Sequence, residues 1–139
     1  MKSFLLISLL FSFAALGFEQ NISCSSFDEC DFDKIDTAIS FESESTKLGF
    51  ITTSFSGRAL SFMVAGQLNQ TETREVVVTI PVGGLSTDIS GRDDKMWNEI
   101  LNKEKFPQIV LSFPTISHNF KGQKIVNVTI LGQKHELPV

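Results

Sequence analysis

Residues 35–44 alternate. Ile39 and Phe41 point to one side and Ser40 and Glu42 to the other, which is the period of a half-buried strand. The stretch 45–49 interrupts this pattern. Alternation returns over 57–68, where Leu60, Phe62, Val64, Gly66 and Leu68 share one face and Ser61, Met63, Ala65 and Gln67 the other, with Gly66 offering a place to bend. The polar run 69–74 reads as a hairpin connection to a third long strand, 75–82, whose Val76, Val78 and Ile80 are aligned. Strands joined by a hairpin lie antiparallel.

Beyond Gly83-Gly84 the period shifts from two toward 3.6, because Met96, Trp97, Ile100 and Leu101 gather on one side. This predicts one short amphipathic helix starting near Ser90. Ser90 and Asp93 have the spacing of a capping box, and Asp93 and Asp94 sit where a helix dipole favours negative charge. Phe106-Pro107 closes the helical region, and 108–113 resumes strand with Ile109, Leu111 and Phe113 in common. A turn over 119–122, a strand over 124–131, a turn at Gly132 and a short final run, 134–139, complete about six strand candidates. The fold class is therefore mainly β, an antiparallel sheet with one helix after the third long strand. Such a sheet packs on another or curls into a barrel, and periodicity does not choose between these.

The chain has 139 residues, enough for one domain, and 42% hydrophobic residues, enough for a core. A formal net charge of −4 removes the electrostatic reason to expect nucleic acid. Aromatic usage is one-sided, with 13 Phe, one Trp and no Tyr. Rings without a polar handle suit a dry place, whether a packed core or a lined cavity.

The first 17 residues have the form of a secretory signal. Lys2 supplies the positive start, an apolar run follows with only Ser8 and Ser12 interrupting it, and Ala15 and Gly17 are small residues at the cleavage positions. The mature chain is expected to begin near Phe18. The apolar run is shorter than the roughly 20 residues of a spanning helix, so no stable membrane insertion is expected after cleavage. Residues 18–34 form an N-terminal arm containing Cys24 and Cys30, which in an oxidising compartment are expected to pair. Two Cys without a matching His or Cys cluster do not complete a tetrahedral metal site.

Three linked segments carry a family resemblance: Ser86-Thr87-Asp88, then Gly91-Arg92-Asp93, then Glu104-Lys105-Phe106-Pro107-Gln108-Ile109. They resemble the YceI-like polyisoprenoid-binding proteins, in which a Ser-Ile-Asp-like turn, an Arg-Asp helix start and a Lys-Tyr-Pro passage follow in that order. Asp36-Thr37-Ala38-Ile39-Ser40-Phe41, Leu48-Gly49, Ser56-Gly57-Arg58 and Val128-Thr129-Ile130-Leu131-Gly132 are also similar to passages of that family. The resemblance implies a lipocalin-like antiparallel barrel over 35–139, closed at one end by the helix, in a periplasmic or secreted bacterial protein. It implies a long isoprenoid lipid as ligand, and the residue inventory gives no reason to expect a cofactor or catalysis.

Two departures stand out. Lys95 occupies a place where the family commonly has His, and the chain stops at Val139 where the last barrel strands would begin. Either the chain is a fragment, or the sheet stays open, or a second copy in a homodimer supplies the edge. The alternative to carriage is an interaction protein or oligomer that keeps the scaffold without a cavity.

The expected cavity wall is Phe41, Phe62, Val64, Val76, Val78, Ile80, Ile109, Leu111 and Phe113, with Met96, Trp97 and Ile100 as lid. Arg92 reads either as a head-group contact or, more plainly, as an ion-pair partner of Asp93 at the helix start. The catalytic inventory is thin: His118 and His135 have no ligand partners at metal spacing, and no Gly-x-Ser-x-Gly elbow is present. Gly83-Gly84 lacks the rest of a phosphate-loop pattern.

Overall fold

The computed structural model describes residues 16–29 and 38–138. The expected signal up to Ala15, the Cys30 half of the expected cysteine pair and the start of the first predicted strand lie outside those residues. The strands are β1 (Leu16–Ser23), β2 (Ser40–Lys47), β3 (Ile51–Ala59), β4 (Ser61–Leu68), β5 (Glu72–Pro81), β6 (Leu85–Ser86), β7 (Gln108–Ser112), β8 (Ile116–Ser117), β9 (Ile125–Ile130) and β10 (Gln133–Pro138). All pairings are antiparallel. The larger sheet runs β1-β4-β5-β7-β9-β10 with β8 beside β5, and the smaller runs β2-β3-β6. Among the described residues the sheets do not close into a barrel. The fold is that of an incomplete lipocalin-like one.

The two sheets meet at a corner where both connecting segments change sheet. Leu60 alone separates β3 from β4, and a 3₁₀ turn, Val82–Gly84, separates β5 from β6. The Leu60 N–H donates to the Gly84 carbonyl at 2.7 Å, and the Leu60 carbonyl accepts from the Cys24 N–H at 2.9 Å. The single strand expected over 57–68 is thus two strands in different sheets. Alternation runs on through Leu60 because the chain stays extended there. Periodicity reports which way side chains point, not which neighbour receives the backbone hydrogen bonds.

The irregularity expected at Gly66 is present as a β-bulge. Ala65 pairs with Val77 but Gln67 pairs with Arg74, so β5 places Glu75 and Val76 opposite the single residue Gly66. Glu75 takes φ 54°. The extra residue moves Arg74 off the face of Val76, Val78 and Ile80 to the other face, where it pairs with Glu72. A side chain at Gly66 has no room. Its Cβ would lie 2.9 Å from Val76 Cγ2 and 3.1 Å from the Phe18 ring.

Sequence reading missed β1, an eight-residue strand that spans the end of the expected signal and the start of the expected N-terminal arm. Phe18, Gln20 and Ile22 alternate with Glu19, Asn21 and Ser23, but Glu, Gln and Asn are weak strand formers, and β1 exists by pairing with β4. After it, the Arg58 guanidinium donates to the Phe27 carbonyl at 2.7 Å and lies 4.2 Å from the Phe27 ring centroid, tying the arm to β3. The core cluster consists of Ala59, Phe62, Val78, Ile80, Leu85 and Met96. Each large member stabilises the fold by about 1.5–3 kcal/mol.

The helix α1 (Ser90–Lys95) continues into a π-helical turn, Met96–Ile100. Its start agrees with expectation, but the capping box does not form. Ile89 precedes the first helical residue, and Asp93 turns its carboxylate away from Ser90. Asp93 is 5% exposed and accepts from Ser86 Oγ (2.9 Å), the Thr87 N–H (2.7 Å) and Thr87 Oγ1 (2.6 Å). Replacing Asp93 with Ala leaves those buried donors unpaired. Urea unfolding of Asp93→Ala is expected to lose about 3 kcal/mol. The neighbouring exposed Asp94→Ala is expected to stay within about 0.5 kcal/mol of the parent.

Candidate functional site

The residues after Ser86 are held as a roof over the gap between the sheets. Asp93 is bound to Ser86 and Thr87, and the Trp97 indole N–H donates to the Leu85 carbonyl at 2.8 Å. Both anchors sit on or beside β6. The π-helical turn decides what the roof presents below. Its Leu101 N–H reaches back five residues to the Met96 carbonyl at 2.8 Å, which brings Met96, Ile100 and Leu101 to the gap and turns Trp97 toward β6.

Beneath the roof is a cavity of about 420 Å³. From the larger sheet it is lined by Ile80, Ile109, Leu111, Val128, Ile130 and Leu137, and from the β2–β3 hairpin by Phe41 and Phe55. The register explains this floor: Ile80 is paired with Ile109 and Leu111 with Val128, and directly paired residues face the same side. Ile39 and Leu85 complete the apolar lining, and only Ser40, Glu42 and Ser43 are polar. Phe41 keeps its place by lying across its cross-strand partner Gly57. A Cβ there would fall into the Phe41 ring and 2.7 Å from the Ser86 carbonyl oxygen.

The cavity opens toward the outer half of the hairpin. A second hollow of about 370 Å³ shares Ser43, Phe55, Met96 and Ile100 with the first and is otherwise lined by Glu44, Ser45, Lys47, Thr53, Arg92 and Lys95. The inward positions of the hairpin are therefore graded. Phe41 lies deepest, the cross-strand pair Ser43 and Phe55 comes next, and Ser45, Thr53 and Lys47 lie at the mouth. The Arg92 guanidinium carbon stands 4.8 Å from the Phe55 ring centroid. A half-exposed contact of this kind contributes about 1 kcal/mol. The ion pair expected between Arg92 and Asp93 is absent among the described residues, because Ser86 and Thr87 occupy the Asp93 oxygens.

Of the expected wall and lid residues, Phe41, Ile80, Met96, Ile100, Ile109 and Leu111 line the cavity, and Arg92 stands at its mouth. Phe62, Val64, Val76, Val78, Trp97 and Phe113 do not line it. Phe62 and Val78 are buried in the core cluster with Val64, Trp97 and Phe113 packed against it, and Val76 lies against Gly66. The shared face is real, but one end is filled by side chains and the other is hollow.

The hollow, the roofing helix and the sheet order give the family its test. The family model described as the YceI-like domain matches residues 31–139. The chain belongs to the YceI-like family. Comparison with the curated proteins found none that matches. Within this YceI-like domain, Lys95 takes part in the mouth, at the place where the resemblance led us to expect His. His118 Nε2 lies 3.2 Å from Thr73 Oγ1 on the surface, and His135 is exposed on β10. Among the described residues no three His, Cys, Asp or Glu side chains lie together as metal ligands.

Sequence reading missed Ile39, Phe55, Leu85, Leu101, Val128, Ile130 and Leu137 as apolar lining residues. Val128 and Ile130 had a visible signal in the alternation of 124–131, and Leu101 had one in the helical face. Phe55 had none, since it is the lone large apolar residue in the run Thr52-Thr53-Ser54-Phe55-Ser56. The Phe41–Gly57 contact is open to a direct check. Gly57→Ala is expected to cost about 1–3 kcal/mol in chemical denaturation. Part of that cost should vanish when the same change is made in a Phe41→Ala background, giving a measurable coupling.

Proposed function

We propose that this YceI-like protein binds, stores or carries a long-chain isoprenoid lipid by enclosing part of the chain in the cavity under the helix. The observation that carries the reading is an apolar hollow of about 420 Å³ left between the two sheets under the helix. Its volume lies within the range of about 300–1,000 Å³ typical of small-molecule sites. A hollow left unfilled favours carriage over the alternative of a scaffold that lost its cavity. Each methylene withdrawn from water contributes about 0.8 kcal/mol, so a few enclosed prenyl units bind without a charged contact. Selection then comes from shape and dryness, with no bond made or broken in the ligand. The protein acts as a passive carrier and not as an enzyme.

The same reading takes the chain as exported. Cleavage after Gly17 would remove only the two outermost pairs of β1, leaving Phe18–Ser23 paired to β4. Cys24 closes that strand and is not a free thiol, which supports its pairing with Cys30 in an oxidising compartment. No helix among the described residues is long and apolar enough to cross a membrane. Intact mass of the secreted protein should correspond to a start at Phe18 with two hydrogens fewer than the reduced chain. A gain of those hydrogens only after reductant verifies the pairing.

Organic extraction of the purified protein followed by mass spectrometry should recover a prenyl lipid. Its absence from protein made in several hosts would remove the proposal. Leu111→Trp puts a large ring into the hollow and is expected to lower lipid recovery about tenfold, the effect of displacing roughly two methylenes, while far-ultraviolet circular dichroism stays native-like.

A further inference from the structure

The β2–β3 hairpin ends in a feature that its fold does not explain. Leu48 is 80% exposed and Phe50 78%, and Ile51 beside them is 47% exposed. Single exposed hydrophobic residues are ordinary on a protein surface, but here three fall within four consecutive positions at one turn. Leu48 also takes φ 55° ahead of Gly49 at φ 77°. That backbone region suits Gly, Asn or Asp and strains a leucine, so Leu48 gains neither burial nor turn geometry in the free protein. Its apolar surface has to be covered by something else.

We infer that the tip Leu48-Gly49-Phe50-Ile51 is a membrane-docking finger that seats the chain on an anionic lipid bilayer, with the cavity mouth facing the lipids. This inference rests on the carrier reading and names the surface from which cargo is collected. Two further observations specify the partner. Lys47, Arg92 and Lys95 line the mouth against the single carboxylate of Glu44, although the whole chain carries a formal charge of −4. Cations gathered at one rim of an acidic protein complement anionic headgroups. The finger and the mouth are also continuous. Lys47 pairs with Ile51, Ser45 with Thr53, and Lys47, Ser45 and Thr53 all line the mouth. Between the tip and Glu44 the two strands carry Ser45, Thr46, Thr52, Thr53 and Ser54, with no carboxylate to oppose immersion among headgroups.

The test is flotation of the full chain with vesicles of phosphatidylethanolamine and phosphatidylglycerol, compared with vesicles of phosphatidylcholine alone. The parent floats with the anionic vesicles and much less with the neutral ones. The double variant Leu48→Ser, Phe50→Ser lowers binding to the anionic vesicles about tenfold or more, through lost apolar insertion. Neither side chain lines the cavity, so uptake of a long-chain prenol presented in detergent is unchanged in that variant. Loss of flotation in the variant, when neither protein takes up prenol, upholds the finger and removes the carrier reading. Equal flotation of parent and variant overturns the inference whatever prenol uptake does. A parent that does not float but forms a dimer, lost in the variant by sedimentation analysis, overturns it as well and makes the tip a contact between copies.

Discussion

A carboxylate buried in largely apolar surroundings is costly unless its oxygens are fully engaged. Asp93 meets that condition with Ser86 and Thr87 as donors, and these bonds fix the helix over the gap between the sheets. Trp97 adds a second tether one turn later through the Leu85 carbonyl. Both tethers end on β6, a strand of two residues, so a very short element determines the height and tilt of the roof. Without that roof, Ile80, Ile109 and Leu111 would face water across an open trough.

The cavity follows from a mismatch between sheets. Both connecting segments change sheet at the Leu60 and Gly84 corner, which forces the inner faces close together there, and Phe62, Val78, Leu85 and Ala59 fill that end. Away from the corner the β2–β3 hairpin faces β7 and β9 across the hollow lined by Phe41, Phe55, Ile109, Leu111 and Val128. Phe41 folds down onto Gly57 instead of reaching across. The hollow grades from the buried Ile80, Leu85 and Met96 through half-buried Phe41, Ile109 and Leu111 to the exposed Ile100 and Leu137, as expected when two apolar walls face each other without interlocking.

An open sheet must also protect its edges. At β10 the exposed edge carries Lys134, His135, Glu136 and Pro138, and at β2 it carries Glu42 and Glu44, residues that discourage further strand pairing. Charge thus guards the β10 and β2 edges, while exposed large apolar residues gather most densely at the hairpin tip, where Leu48, Phe50 and Ile51 fall within four positions.

Much of the outline was legible in the sequence. Period-two patterns located β5, β7, β9 and most of β2 and β4, the shift toward 3.6 located the helix, and Gly66 marked the bulge. The linked Ser86-to-Ile109 segments pointed to the YceI-like family. These features are local, set by side-chain direction and backbone preference within a few residues. The sequence by itself therefore determined which faces are apolar and where the helix begins. Tertiary structure alone decided that 57–68 is divided between two sheets, that a polar strand such as β1 exists, and that Phe62 and Val78 fill space while Ile109 and Leu111 border a void. Those outcomes depend on the distance between elements far apart in the chain, and alternation along a strand carries no information about how far away the opposite wall stands.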